Sequence, residues 1–135
     1  MHAPDADIHP AALGAQSPVM ATYLVTGATG LIGRHFVQRL LATDDLERIW
    51  LVVRASSQDR LARLVRTWPA PQRVTMVVGD VSQPGLGISE RELTTLRGRV
   101  DHIVHLAALY DVTADDEESI AANVDGTRHV IEVAE

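Results

Sequence analysis

From Tyr23 onward, short apolar runs alternate with segments whose apolar residues recur every third or fourth position. The first run, Tyr23-Leu24-Val25-Thr26, predicts a strand. The segment Leu31–Leu41 predicts a helix with Ile32, Phe36, Val37, Leu40 and Leu41 on its buried side. Residues 49–53 are apolar without a break, as in a strand covered on both faces. "SSQDRLARLVRTW" follows, with a serine cap and Leu61, Leu64, Val65 and Trp68 at helical spacing. Val74–Val78 predicts the third strand, and "SERELTTL" opens a short helix with a capping box from Ser89 to Glu92. Residues 102–106 predict the fourth strand. The acidic residues 115–118 favour a helix N-terminus through the helix dipole, and that helix runs to the chain end.

Strands alternating with helices imply a parallel sheet with right-handed crossovers. The expected fold is α/β, a Rossmann-type doubly wound sheet, incomplete, with about four strands in the order 3-2-1-4. In that order the outer edge of the fourth strand, "IVHLAAL", lacks a partner and carries no lysine or proline to protect it, so self-association through this edge is expected. Residues 1–20 hold three prolines and no usable periodicity, and read as a disordered leader before a dinucleotide-binding unit over 21–135. Met20 stands just ahead of the first strand, so translation is expected to start there naturally. A native peptide running from Ala15 to Tyr23 would contradict this.

Composition removes whole classes of function. With 135 residues the chain makes one domain at most, and 46% apolar with 22% charged residues is ordinary for a globular chain. A net charge of −6 argues against non-specific binding to nucleic acid or an anionic membrane surface. The absence of cysteine excludes disulfides and thiolate metal sites. No run approaches the roughly 18 apolar residues of a membrane span, and the opening lacks the basic start and apolar core of a secretory signal. A cytoplasmic location is the expectation. All twelve basic residues are arginine, so no mechanism that needs lysine runs on this polypeptide alone.

The candidate chemistry centres on Gly27, Gly30 and Gly33, a G-x-x-G-x-x-G set between strand and helix. Strand, tight turn and helix N-terminus are what a dinucleotide site requires. Gly27 permits the turn, Gly30 lets backbone approach a pyrophosphate, and Gly33 allows close helix–sheet packing. The free N–H groups of the helix start then face the phosphates. The second strand ends "WLVVRASS" and lacks the Asp or Glu that usually binds the NAD ribose. Arg54 there suits a 2′-phosphate and favours NADP. Arg34 reads either as a second positive contact or as a solvated surface residue. Asp80, in "VVGDVS", reads as a turn residue or as an acceptor for an adenine amino group. Ala107 and Ala108 leave room for backbone beside the cofactor. His105, inside an apolar strand, reads as a packed core residue. With His102 it has no nearby third ligand, so no metal site is assigned.

With those residues in place, the chain resembles the extended short-chain dehydrogenase/reductase superfamily. The resemblance rests on "TGATGLIG", "GDVS", "HLAALYD" and "NVDGT", in that order over residues 22–135. "LVVR" and "GDVSQPGLGIS" are similar to the male-sterility branch, which includes fatty acyl-CoA reductases and thioester reductase domains. The resemblance implies NADP(H) as cofactor and reduction of an acyl thioester substrate to aldehyde or alcohol in the complete family member. It also implies a cofactor-binding set of Thr26, Gly27, Thr29, Gly30, Leu31, Ile32, Gly33 and Arg34 in the loop and first helix. Arg54, Asp80, Val81, Ala107 and Ala108 extend the set, and Asn123 matches a family residue that orders the active site.

One departure bears on activity. The family transfers hydride with a Tyr-x-x-x-Lys pair, whose lysine lowers the tyrosine's pKa. Here Tyr23 is followed at the fourth place by Gly27 and Tyr110 by Ala114, and the chain ends twelve residues after Asn123. No catalytic residue is therefore assigned, and the expectation is the N-terminal part of a reductase, inactive on its own. Two other readings share the cofactor loop: part of a sugar-nucleotide epimerase or dehydratase, and a non-catalytic NADP-binding module.

Overall fold

The computed structural model describes residues 19–108 and 115–135. The expected leader, up to residue 18, and Tyr110 lie outside the described residues. In chain order the elements are β1 (Ala21–Thr26), α1 (Leu31–Leu41), β2 (Leu46–Val53), α2 (Gln58–Val65), β3 (Val74–Val78), α3 (Glu90–Leu96), β4 (His102–His105) and α4 (Asp116–Ala134). The four strands pair in parallel as β3-β2-β1-β4. Each parallel step is a strand–helix–strand crossover, so the apolar runs must be covered on both faces.

Side-chain alternation sorts the core into two layers. Val25, Ile49, Leu51 and Val53 join Val37 and Leu41 of α1 and Leu61 of α2 on one side of the sheet. Leu24, Val52 and Val77 join Leu93 and Leu96 of α3 and Val130 of α4 on the other. Neighbours Leu24 and Val25 are both buried, yet point to opposite layers, as the two-residue period of a strand demands. Full burial of each such side chain contributes about 1.5–3 kcal/mol.

Two local expectations are overturned. Ile32 is 73% exposed, not on the buried side of α1. The sheet-facing row of α1 is Gly33, Val37 and Leu41, one turn apart, with Phe36 and Leu40 half-buried beside it. Ile32 lies about 100° off that row, in the first turn, which rests on the backbone of Gly27 and Ala28 rather than on the sheet. The serine cap ahead of α2 is also absent. Ser57 already has helical backbone angles, because a 3-10 turn over Ala55–Ser57 feeds the helix, and its side chain makes no capping bond. A cap requires an extended residue there. The α2 helix closes at Val65, and Trp68 reaches the core from beyond it.

The other two helix starts follow the sequence. Ser89 Oγ accepts the Glu92 N–H at 3.2 Å and donates to Glu92 Oε2 at 3.0 Å. Asp115 Oδ1 accepts the Glu117 N–H at 2.9 Å, and Asp116, Glu117 and Glu118 fill the first turn of α4.

Candidate dinucleotide site

Parallel pairing brings the carboxyl ends of all four strands to one edge of the sheet. Thr26 stands opposite Val52 of β2 and His105 of β4, and Val53 stands opposite Val78 of β3. A cleft of about 370 Å³ opens there, which is within the range of small-molecule sites. The strand order reverses between β1 and its two neighbours at this point, where open α/β sheets take their ligands.

The glycine loop forms the centre of the cleft. Gly27 has φ +83°, a left-handed conformation that L side chains rarely adopt, and a side chain there would strike the backbone of Leu106 and Ala107. A Cβ at Gly33 would collide with the carbonyl of Gly27, so α1 approaches the loop more closely than alanine allows. Gly30 differs from both. It caps α1 in an extended conformation, and a Cβ there would meet only the Gly27 carbonyl oxygen, at 3.4 Å. No side chain caps α1, and among the described residues the N–H groups of Leu31, Ile32 and Gly33 have no acceptor. Orphan first-turn donors and a glycine that the protein's own packing does not require suit a phosphate held at this helix start.

The β4 wall is tied to β1 through one hydroxyl. Leu106 and Ala107 each donate a backbone N–H to Thr26 Oγ1 at 3.2 Å, and Thr26 Oγ1 lies 2.6 Å from His105 Nδ1. Thr26 is fully buried. His105 is half-buried and lines the cleft, and burial pushes its imidazole below the ordinary histidine range.

The β2 and β3 ends supply the charges. Arg54 follows β2 directly, is exposed, and lines the cleft together with Asp80. Asp80 Oδ1 accepts from Ser82 Oγ at 2.7 Å and from the Ser82 N–H at 2.9 Å. The Ser82 hydroxyl bond, then its backbone bond, hold this carboxyl below the usual carboxylate range; burial opposes them and the Arg54 charge assists. Asp80 is thus a turn residue that also faces the cleft. The Asp80 N–H is held by the Leu86 carbonyl at 2.6 Å, where the loop after β3 folds back on itself. The fourth wall comes from α4, which contributes Ala122, Asn123 and Gly126. It is anchored to the same loop by His129, whose Nδ1–H donates to the Val81 carbonyl at 2.8 Å.

Of the residues expected in the site, Thr26, Gly27, Thr29, Gly30, Arg54, Asp80, Val81, Ala107, Ala108 and Asn123 line this one cleft. Leu31, Ile32, Gly33 and Arg34 do not. Gly33 is buried under the loop, Leu31 and Ile32 are exposed, and Arg34 is half-buried with a sealed Nε that has no partner among the described residues. Sequence reasoning passed over Ser57, Gly79, Ser82 and Gly126, and set His105 among core residues, although all five line the cleft. Three of these had a readable signal. Gly79 precedes the strand-end aspartate, Ser82 completes a D-x-S turn, and Gly126 lies one helical turn after Asn123. His105 had none, because an apolar strand hides which of its polar residues reaches the open edge.

An open parallel sheet covered on both faces, with a glycine loop leading into a helix start at its switch point, defines a Rossmann-type dinucleotide-binding domain. Comparison with known proteins narrows the class. The family described as male sterility protein, an NAD-binding family, matches residues 25–135, and the chain belongs to it. Fatty acyl-CoA reductase wat of Drosophila melanogaster is 30% identical over 138 residues, covering 88% of this chain and 27% of that protein. The isonitrile lipopeptide synthase of Mycobacterium tuberculosis is 35% identical over 133 residues, 87% of this chain and 5% of that one. Among solved structures, the terminal R domain of the myxalamid PKS-NRPS pathway has a TM-score of 0.73 at 34% identity, covering 88% of this chain and 32% of that domain. The chain therefore spans about a quarter or less of these curated relatives and a third of the solved reductase domain. Among the described residues, no helix is long and apolar enough to cross a membrane, and no three His, Asp or Glu side chains group as a metal site.

Proposed function

We propose that this chain holds NADP(H) for the reduction of an acyl thioester. The observation that carries the reading is Arg54, a cation at the mouth of the cleft where an NAD site has a carboxylate. A carboxylate would repel a 2′-phosphate; a guanidinium pairs with it through charge-assisted hydrogen bonds. The helix start at Gly30, with the orphan N–H groups of the first turn behind it, would face the pyrophosphate, Asp80 would take the adenine amino group, and Ala107–Ala108 the flank of the cofactor. The cofactor supplies a hydride when bound. A fatty acyl-CoA reductase and the R domain of a peptide synthetase pathway among the relatives support an acyl thioester as the acceptor of that hydride. These 135 residues contain no lysine for a Tyr-x-x-x-Lys pair, so we assign them the holding role and not the proton-transfer role.

The test is dinucleotide affinity by calorimetry. NADPH binds more tightly than NADH, and Arg54→Ala weakens NADPH by about 10- to 100-fold, the loss of a hydrogen bond to a charged group, while leaving NADH within about twofold. Equal affinities for the two cofactors, or equal losses for both in Arg54→Ala, would refute NADP preference. Addition of an acyl-CoA with NADPH gives no oxidation by this chain alone; a rate that rises with chain concentration would refute the holding role.

A further inference from the structure

The Thr26 hydroxyl has one proton and two lone pairs. Two backbone donors, Leu106 and Ala107, point at the lone pairs, and Leu106 also shares its N–H with the Thr26 carbonyl at 3.1 Å. The side chain is fully buried, and among the described residues the one remaining neighbour within bonding distance is His105 Nδ1 at 2.6 Å. If Nδ1 carried the ring proton, three donors would crowd the hydroxyl oxygen, and the buried hydroxyl proton would have no acceptor among the described residues. If Nδ1 is bare, the hydroxyl is matched throughout: it donates to Nδ1 and accepts from β4.

We propose that His105 is a positioning residue for the dinucleotide cradle: as the Nε2–H tautomer it takes the Thr26 proton, which keeps the Thr26 lone pairs aimed at Leu106 and Ala107. The Leu106–Ala107 peptide, whose N–H is the second of those donors, lies against Gly27, where no Cβ fits, so the orientation of one hydroxyl sets how closely the β4 end approaches the glycine loop. The consequence for dinucleotide affinity rests on the function proposed above, whereas the tautomer and the two amides concern the ligand-free chain.

The experiment separates these. In the nitrogen-15-labelled full chain without ligand, the His105 ring nitrogens show Nδ1 bare and Nε2 protonated; an Nδ1–H tautomer, or a mixture of the two, overturns the proposal. His105→Leu speeds amide exchange at Leu106 and Ala107 by about three- to tenfold, the effect of one ordinary hydrogen bond. His105→Asn, whose amide oxygen can take the Thr26 proton, restores slow exchange. Unchanged exchange in His105→Leu, or no rescue in His105→Asn, counts against it. Thr26→Ser keeps the Nε2–H tautomer, and Thr26→Val loses it; should Thr26→Val not fold, the wild-type and serine spectra still decide. NADPH affinity falls in His105→Leu and recovers in His105→Asn. A wild-type chain that binds no dinucleotide would defeat the proposed function, while the ring-nitrogen and exchange results would still decide the tautomer.

Discussion

Gly30 and Gly33 are three residues apart in the same motif, yet the structure asks different things of them. A methyl at position 33 collides with the Gly27 carbonyl and must push α1 off the loop, whereas a methyl at position 30 touches one oxygen at 3.4 Å. Gly33→Ala is expected to destabilise the chain by about 1–3 kcal/mol, as overpacking does, and Gly30→Ala to leave stability nearly unchanged while weakening dinucleotide binding. Thermal melts beside a binding titration check both; equal melting losses for the two variants would remove the distinction. Two titrating groups act at the same scale and in the same direction. Burial lowers the His105 pKa, so below about pH 6.5 the unfolded chain takes up a proton that the folded chain resists, and stability falls as pH drops towards the folded value. Asp80 is also held low, so its contribution is present above the ordinary carboxylate range and is lost as pH falls through its folded pKa. Denaturant melts from neutral pH downward should show stability declining first through the His105 window. That first decline should be shallower in His105→Asn, and an unchanged slope would exclude His105 as its source.

At the scale of elements, most of the fold was legible because strand and helix periods differ and each buried residue had to satisfy one of them. The strand order, the span of α1, the capping box at Ser89 and the acidic start of α4 all follow from local rules that packing does not contradict. The misreadings of Ile32 and Ser57 share a cause. Periodicity says which residues share a helix face, but not where that helix passes off the sheet, nor whether a tight turn precedes it. The loop after β3 was least legible. Gly85, Leu86 and Gly87 all have positive φ, and Leu86, at +56°, is fully buried between the sheet and the α3–α4 layer. Local preference opposes that conformation for leucine, so tertiary burial must hold it. The same residue's carbonyl fixes the Asp80 N–H, which couples core packing to the cleft. Leu86→Ala is expected to cost about 2–5 kcal/mol through the cavity it leaves. Leu86→Gly should relax the backbone but still lose the plug. Denaturation midpoints would show the effect; a loss under about 1 kcal/mol in Leu86→Ala would mean that the side chain is not what holds the loop.

At the scale of the molecule, both faces of the sheet are covered, but among the described residues its edge strands β3 and β4 each pair on one side only. Among the described residues β4 pairs only with β1, which leaves its outer row of backbone donors and acceptors without a strand. At four residues the strand is short, which by itself limits strand addition, but its outer edge carries neither lysine nor proline to block it. Beside it, α4 leaves Ile120, Val124 and Ile131 more than half exposed, although this helix must already seat Gly126 and Val130 against the core. An open edge next to an exposed apolar helix face gives a second copy both hydrogen bonds and buried area, which neither feature supplies alone. We therefore propose that the 135-residue chain self-associates on this side. Sedimentation velocity across the micromolar range should show the weight-average coefficient rising with concentration, and Val124→Glu together with Ile131→Glu should suppress the rise without altering dinucleotide affinity. A coefficient that stays at the monomer value throughout would reject self-association. A rise that survives both charges would move the contact away from α4 and onto the β4 edge alone.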